Sequence, residues 1–396
     1  MPIGYWESEL LLAPADLTVV GAGIVGMSTA LHFKTLNPNA RVRILERDML
    51  GEGGTTRNAG FACFGSAGEW LDDRNRLGHD RWISLVEQRV RGLRTLLDLL
   101  GAEGIGLEWT GGWELFARTP EGQSKAAEAL QAMDGINAAV LPLFQRFLPD
   151  SPAALQGLNA LAPDQERALQ LGASAAISLP WEGMIHTGKM VQSFHQALET
   201  QGIQRLHGCN VERIDRDPNA QSWSIRSPRG TMKSQKVAIC TNGFARECVP
   251  GLKVHPEPNR VLVLTPEEAP PVGTYHLDDG YLYFRSLPGG QVLFGGGRHY
   301  GIQLPAWPAL DREAEAVWDA RLLESAEQWL GPIGEITHRW TGWLGVGPDR
   351  SPLLGSSEKG LFYGVRLGGM GVAIGCGMGL SLAELMSQER PLPQQG

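Results

Sequence analysis

The stretch from Leu17 to Phe33 constrains this chain more than any other, because an apolar β-branched run breaks at Gly21, Gly23 and Gly26 and then turns helical. A second strand-like run, Val42 to Leu45, leads into Glu46, twenty residues past Gly26. A dinucleotide needs this order: a tight turn at Gly21, bare backbone against the pyrophosphate at Gly23, close helix packing at Gly26, and a carboxylate for a ribose hydroxyl. Ile24 and Val25, which open the helix between these glycines, belong to the same expected cofactor-binding set.

Glycine accounts for 51 of 396 residues, nearly twice its average share of about 7%. No collagen-like period or Gly/Ser linker explains the excess, so it marks places where backbone meets backbone or ligand. A formal charge of -8 with mixed signs argues against nucleic acid as a partner. The five cysteines show no CxxC spacing, which suits buried thiols in a reducing compartment better than zinc or redox chemistry. No stretch reaches 18 apolar residues, and acidic Glu7 and Glu9 stand where a signal peptide would be basic, so a cytoplasmic protein without a transmembrane segment is expected.

The spacing predicts an amphipathic helix from about His79 to Leu100, short helices over 122–172 broken by Pro142, Pro149, Pro152 and Pro163, and a further helix at about 188–201. Strands are expected near 203–216 and 222–226 and at Lys236 to Cys240, followed by another amphipathic helix, Asp311 to Leu330. This return to a parallel-strand pattern predicts an α/β fold: a Rossmann-type domain made of 1–65, 180–256 and 331–396, interrupted by an antiparallel-sheet plus helix substrate domain made of 66–179 and 257–330. Near the C-terminus, Gly368-Gly-Met-Gly371 opens a last helix in which Gly375 and Gly379 share one face, implying close packing against the first helix or the cofactor.

The first motif alone fits NAD as well as FAD. The glycine-rich start of the last helix favours a flavin, since free N–H groups and a positive dipole end would stabilise charge developing at N1 and C2=O of the reduced ring. Several segments carry a family resemblance: Tyr5-Trp6-Glu7, Gly54-Thr-Thr-Arg-Asn-Ala-Gly60, Val237-Ala-Ile-Cys-Thr-Asn-Gly243, Tyr281-Leu-Tyr-Phe-Arg285, Leu293-Phe-Gly-Gly-Gly-Arg298, Pro348-Asp-Arg-Ser-Pro-Leu-Leu-Gly355 and Gly368-Gly-Met-Gly371. With them the chain resembles the FAD-dependent amine and amino-acid oxidoreductases of the D-amino-acid oxidase superfamily, most of all the branch containing gamma-glutamylputrescine oxidase.

The resemblance implies roles. Gly21, Gly23 and Gly26 would hold the pyrophosphate, Glu46 the adenosine ribose, and Arg47 and Val211 would lie by the adenine. Thr55, Thr56, Arg57, Asn58, Ala59 and Gly60 would pass beside the isoalloxazine, and Thr241, Asn242 and Gly243 would join the cofactor contacts. Gly368, Gly369, Met370, Gly371 and Val372 would face the flavin pyrimidine edge.

Tyr281 to Ser286 and Gln291 to Arg298 flank Leu287-Pro-Gly-Gly290 and read as a hairpin. An even-length loop would put Tyr281, Tyr283 and Arg285 on one face with Phe294, Gly296 and Arg298, whereas a three-residue loop would put the two arginines on opposite faces. A guanidinium there suits a substrate carboxylate, although a solvated polar face explains the same residues. His299, Tyr300 and Trp343 are further candidates to line the pocket.

Glycine-oxidase-like relatives carry a carboxylate-binding arginine shortly before the Pro-Asp motif, and here that stretch is Trp343-Leu-Gly-Val-Gly347. Leu293 stands where sarcosine oxidases have an oxygen-activating lysine, which leaves the acceptor open between oxygen and another molecule. No cysteine lies near Trp343, so FAD is expected to bind noncovalently. The expected function is oxidation of a C–N bond of a small amine or amino acid by hydride transfer to flavin N5, with hydrolysis of the imine. The alternatives are an FAD-dependent 2-hydroxy-acid oxidoreductase, an NAD-dependent dehydrogenase and a noncatalytic FAD-binding subunit.

Overall fold

A computed structural model describes residues 4–151, 162–217, 222–304 and 311–388. Its first eight-stranded sheet runs in the order Leu353–Glu358, Leu361–Val365, Gly230–Ile239, Ala15–Val20, Val42–Leu45 and Gln204–Leu206, with Ser222–Ser227 paired onto Gly230–Ile239 and Arg213–Asp217 onto Ser222–Ser227. Ala15–Val20 pairs in parallel with both Val42–Leu45 and Gly230–Ile239. Parallel strands are covered on both faces, which explains their near-continuous apolar character; Val42–Leu45 is buried throughout. The helix Ile24–Leu36 makes the crossover that the glycine motif predicts.

The second sheet runs Ile333–Val346, His255–Pro266, Val292–Gly296, Leu282–Ser286, Thr274–Leu277, Gly112–Phe116, Ala175–Leu179 and Ala162–Pro163. All its pairings are antiparallel except that of Thr274–Leu277 with Gly112–Phe116. Residues 333–346, grouped by sequence with the nucleotide-binding domain, instead pair with His255–Pro266 from Val346 back to Ile333. Their alternation carries no mark of which sheet receives them, so the boundary drawn at 331 does not match the sheets.

A second correction concerns residues 120–147. They form one helix with Pro142 inside it rather than several short ones, and Ile136, Val140, Leu141 and Phe144 of this helix are buried. Tertiary packing outweighs the local cost of the proline. Pro149 follows the helix, Pro163 lies in a short strand, and Pro152 falls outside the described residues. No helix among the described residues is long and apolar enough to cross a membrane.

The C-terminal helix, Gly371–Gln388, packs between Ile24–Leu36 and His79–Ile105. Glycine makes both approaches possible. A Cβ on Gly379 would lie 2.5 Å from Ser28 Oγ, and one on Gly375 2.5 Å from Ile24 Cγ2. On the other side, a Cβ on Gly92 would collide with the Ala373 carbonyl oxygen. Ser28 Oγ donates to the Cys376 carbonyl at 3.0 Å, tying the two terminal helices together. In an exposed helix Gly→Ala would stabilise by about 0.8–1 kcal/mol, but overpacking here costs about 1–3 kcal/mol. Gly379→Ala should therefore lower the urea midpoint, and an unchanged or raised midpoint would show that the helices are not in such close contact.

Candidate active site

The starts of the first and last helices open onto one crevice. Twenty of the 22 residues expected at the cofactor line it, all but Gly26 and Thr56. Gly21 has φ +103°, a turn that a side chain would oppose, and Gly23 is open apart from Thr55 Oγ1. Gly26 serves packing, since a Cβ there would collide with the Gly21 carbonyl oxygen. Thr56 Oγ1 turns back to donate to the carbonyls of its own loop at Gly51 and Gly53.

The loop from Thr55 to Gly60 is fastened from several sides. Thr55 Oγ1 accepts the Ile24 N–H at 2.8 Å, and Asn58 Oδ1 accepts the Gly60 N–H at 2.8 Å and the Thr187 hydroxyl at 3.0 Å. Arg57 pairs with Glu52 at 3.1 Å and donates to the Thr341 carbonyl at 3.1 Å. Glu46 Oε2 accepts the Ala22 N–H at 2.8 Å and Oε1 that of Asp48 at 3.0 Å, so the acidic residue also holds the glycine turn. Asn242, at φ +46°, accepts the N–H groups of Arg366 (3.1 Å) and Leu367 (3.3 Å) and so sets the loop entering Gly368–Gly371. Arg47 lies over the Phe244 ring at 4.7 Å, and both line the crevice.

These residues fit an FAD. The first helix start carries no side-chain cap of its own, and no atom lies within 4 Å of where a Cβ of Gly369 would be. Both are backbone surfaces shaped for a close anionic or polar ligand edge.

The hairpin departs from its predicted register. Ser286 pairs with Val292 across a five-residue loop, so Tyr283 faces Gly295 and Arg285 faces Leu293. Phe294 lies on the other face, stacked on Phe284 in the core. Gly295 gives Tyr283 its space, since a Cβ would come within 2.8 Å of the ring. Tyr283 Oη accepts from Asn259 at 2.7 Å. Arg298 still reaches the crevice, by a turn at Gly297 (φ +79°) rather than by strand alternation; it lies 4.8 Å over the Tyr281 ring and 3.3 Å from Glu257.

Arg285 is not placed to grip a substrate. Its Nη1 donates to the Gly60 carbonyl at 2.6 Å and that of Ile185 at 2.9 Å, it does not line the crevice, and burial lowers its pKa to about 10. It is a positioning residue that ties the second sheet to the loop Thr55 to Gly60. His299 also lies outside the lining, behind Tyr281 and 3.2 Å from Asp278. Trp343 lines the crevice near Phe244.

A buried acid–base cluster went unrecognised in the sequence. His276 Nε2 lies 2.8 Å from Glu182 Oε2, which also accepts from Thr274 Oγ1 at 2.8 Å. Burial alone would lower the His276 pKa, but Glu182, with Glu69 and Glu114 beyond it, outweighs this and pushes it up to about 9. Burial raises Glu114 to about 7 against the pull of the Gly68 N–H and the Ser66 hydroxyl. Glu69 is the exception: burial raises its pKa, yet Arg350, His276 and Arg89 together hold it below the ordinary value. The only local signal was Ser66-Ala-Gly-Glu69, a capping box at the start of the helix Ala67–Leu77.

Arg285→Ala should destabilise by about 1–3 kcal/mol, because it leaves the buried Ile185 carbonyl unpaired while the Gly60 carbonyl keeps the Ile185 N–H. Arg298→Ala, which removes a partly exposed pair, should cost about 0–1 kcal/mol. Thermal unfolding of both variants checks this, and equal losses would contradict the separate roles.

The family model described as FAD dependent oxidoreductase matches residues 16–385. Gamma-glutamylputrescine oxidoreductase of Escherichia coli (strain K12) is 23% identical over 385 residues, covering 94% of this chain and 83% of its own. Among solved structures, iminodiacetate oxidase from Chelativorans sp. BNC1 superposes with a TM-score of 0.69 at 17% identity, covering 96% of this chain and 97% of its own. Glycine oxidase from Geobacillus kaustophilus does so with a TM-score of 0.67 at 17% identity, covering 96% of each chain. The chain, with two helix starts shaping one crevice and an antiparallel sheet beside it, belongs to the family of FAD-dependent oxidoreductases.

Proposed function

We propose that this flavoenzyme oxidises the C–N bond of a small amine or amino acid. The observation that carries this reading is the continuity of the crevice, which runs from Gly21, Gly23 and Glu46 past Gly368–Val372 to Phe61, His276, Tyr283 and Trp343 at the second sheet. The relatives named above point the same way, being named for gamma-glutamylputrescine, iminodiacetate and glycine, all nitrogen compounds.

Gly21 to Val25 would hold the diphosphate of FAD, Glu46 its ribose, and Gly368 to Val372 its pyrimidine edge, consistent with the helix start at each end of the crevice and the open space at Gly369. When bound, FAD supplies the two-electron acceptor for the substrate C–H bond. The chain's own groups then position and desolvate. Phe61 packs edge-on against both Tyr283 and His276, at 5.4 and 5.6 Å, and this aromatic wall keeps water from the reacting carbon. The amine must be neutral when the hydride leaves, so no strong base on the carbon is required, and positioning carries most of the catalysis. The imine is hydrolysed by water.

The cysteines lining the crevice are held as thiols by burial, Cys240 at about 12 and Cys248 at about 11, which supports noncovalent attachment. Leu293 is a buried apolar residue, so slower turnover with oxygen than with a dye acceptor is in keeping with this site. The test is anaerobic mixing of the holoenzyme with amines, N-methyl amino acids, D-amino acids and 2-hydroxy acids. Visible flavin absorbance should bleach with an amine or amino acid, whereas bleaching by hydroxy acids alone, or by nothing, would overturn the proposal.

A further inference from the structure

Glu69 lines the crevice at its second-sheet end, is only 7% exposed, and has no ion-pair partner within 4 Å among the described residues. Its Oε2 accepts the Ser66 N–H at 3.1 Å and completes the helix cap. No hydrogen bond from the described residues reaches its Oε1, while Arg350, His276 and Arg89 favour the ionised carboxyl. The group opposite is Gly280, with φ +78°, where a Cβ would come within 2.9 Å of Oε1. With glycine at this position, no side chain covers the oxygen from that side.

The cations of the crevice are committed elsewhere. Arg57 is paired with Glu52, Arg298 with Glu257 and His276 with Glu182, while Arg47 lies at the far end beside Asp48 and Phe244. Behind Glu69, Arg89 donates to the Phe64 carbonyl and faces Asp73, and Arg350 is shared between Asp72 and Asp73. Asp72, Asp73 and Glu182 each have a cation within ion-pair distance, from Arg76, Arg89, Arg350 and His276, and Glu69 is the carboxylate of this set that has none. A cation bound in the crevice pairs with it, whereas a substrate carboxylate meets no uncommitted cation among the described residues here.

We propose that Glu69 is the substrate-recognition residue of the crevice, accepting a hydrogen bond from the ammonium of an amine that bears no carboxylate on its reacting carbon. This rests on C–N oxidation as the reaction and narrows its substrate class. One N–H bond to the carboxylate is made on binding, and the ammonium gives up a proton to solvent before the C–H bond breaks. A charge-assisted bond of this kind is worth about tenfold or more in affinity.

The experiment measures anaerobic flavin reduction by matched pairs, n-butylamine against norvaline and benzylamine against phenylglycine, with both enantiomers of each amino acid. The wild-type holoenzyme should be half-reduced at an amine concentration at least about tenfold below that of the matched amino acid. Glu69→Gln should raise the half-saturating amine concentration by a similar factor, with the limiting reduction rate changed less and flavin content unaltered. Preference for the amino acid in the wild-type enzyme, or an unchanged half-saturating concentration in Glu69→Gln, overturns the assignment while C–N oxidation stands. If Glu69→Gln fails to fold with flavin, the wild-type comparison decides alone. Failure of every amine and amino acid to reduce the flavin defeats the broader reading, and this inference with it.

Discussion

The contact between the first and last helices of the chain governs everything that follows from this fold. Gly375 and Gly379 bring the C-terminal helix against Ile24 and Ser28, so two glycine-rich helix starts, nearly 350 residues apart in sequence, open at the same crevice. Each contributes a positive dipole end. A side chain at either glycine would push the helices apart and separate the two halves of the cofactor cradle. Arg285 plays the matching part for the second sheet, tying it through the Gly60 and Ile185 carbonyls to the loop that holds Asn58 and Thr55.

Charge is divided along the crevice. The end at Gly21 to Val25 is made of a helix start and Glu46, groups suited to a diphosphate and a ribose. The second-sheet end carries the ionised Glu69, the His276–Glu182 pair and the Tyr283 phenol, which burial pushes well above the ordinary value for a tyrosine. Among the described residues, nothing at that end resembles the paired uncommitted guanidiniums that would grip a carboxylate.

The nucleotide half was legible because sterics write it into short spacings. Gly21, Gly23 and Gly26 each answer a different local demand, and Gly375 and Gly379 reveal a close face by their cost to a helix. The second half was less legible. The hairpin register depended on one residue of loop length, and Gly297 returned Arg298 to the crevice in a way that alternation cannot express. An arginine reads the same in sequence whether it meets a substrate or two carbonyls, which is why Arg285 was misassigned. Glu69, Glu114, Glu182 and His276 are scattered over some two hundred residues and meet only through the fold. The strand Ile333–Val346 likewise gave no sign of which sheet would take it.

The most direct test of the central claim is a crystal structure of the protein purified with its flavin. It should show the diphosphate against Gly21 to Val25, a ribose hydroxyl on the Glu46 carboxylate, and the pyrimidine edge of the ring facing Gly369 to Val372, with Phe61, His276 and Tyr283 on the substrate side. A flavin bound elsewhere, or one whose ring does not reach the start of the C-terminal helix, would contradict it.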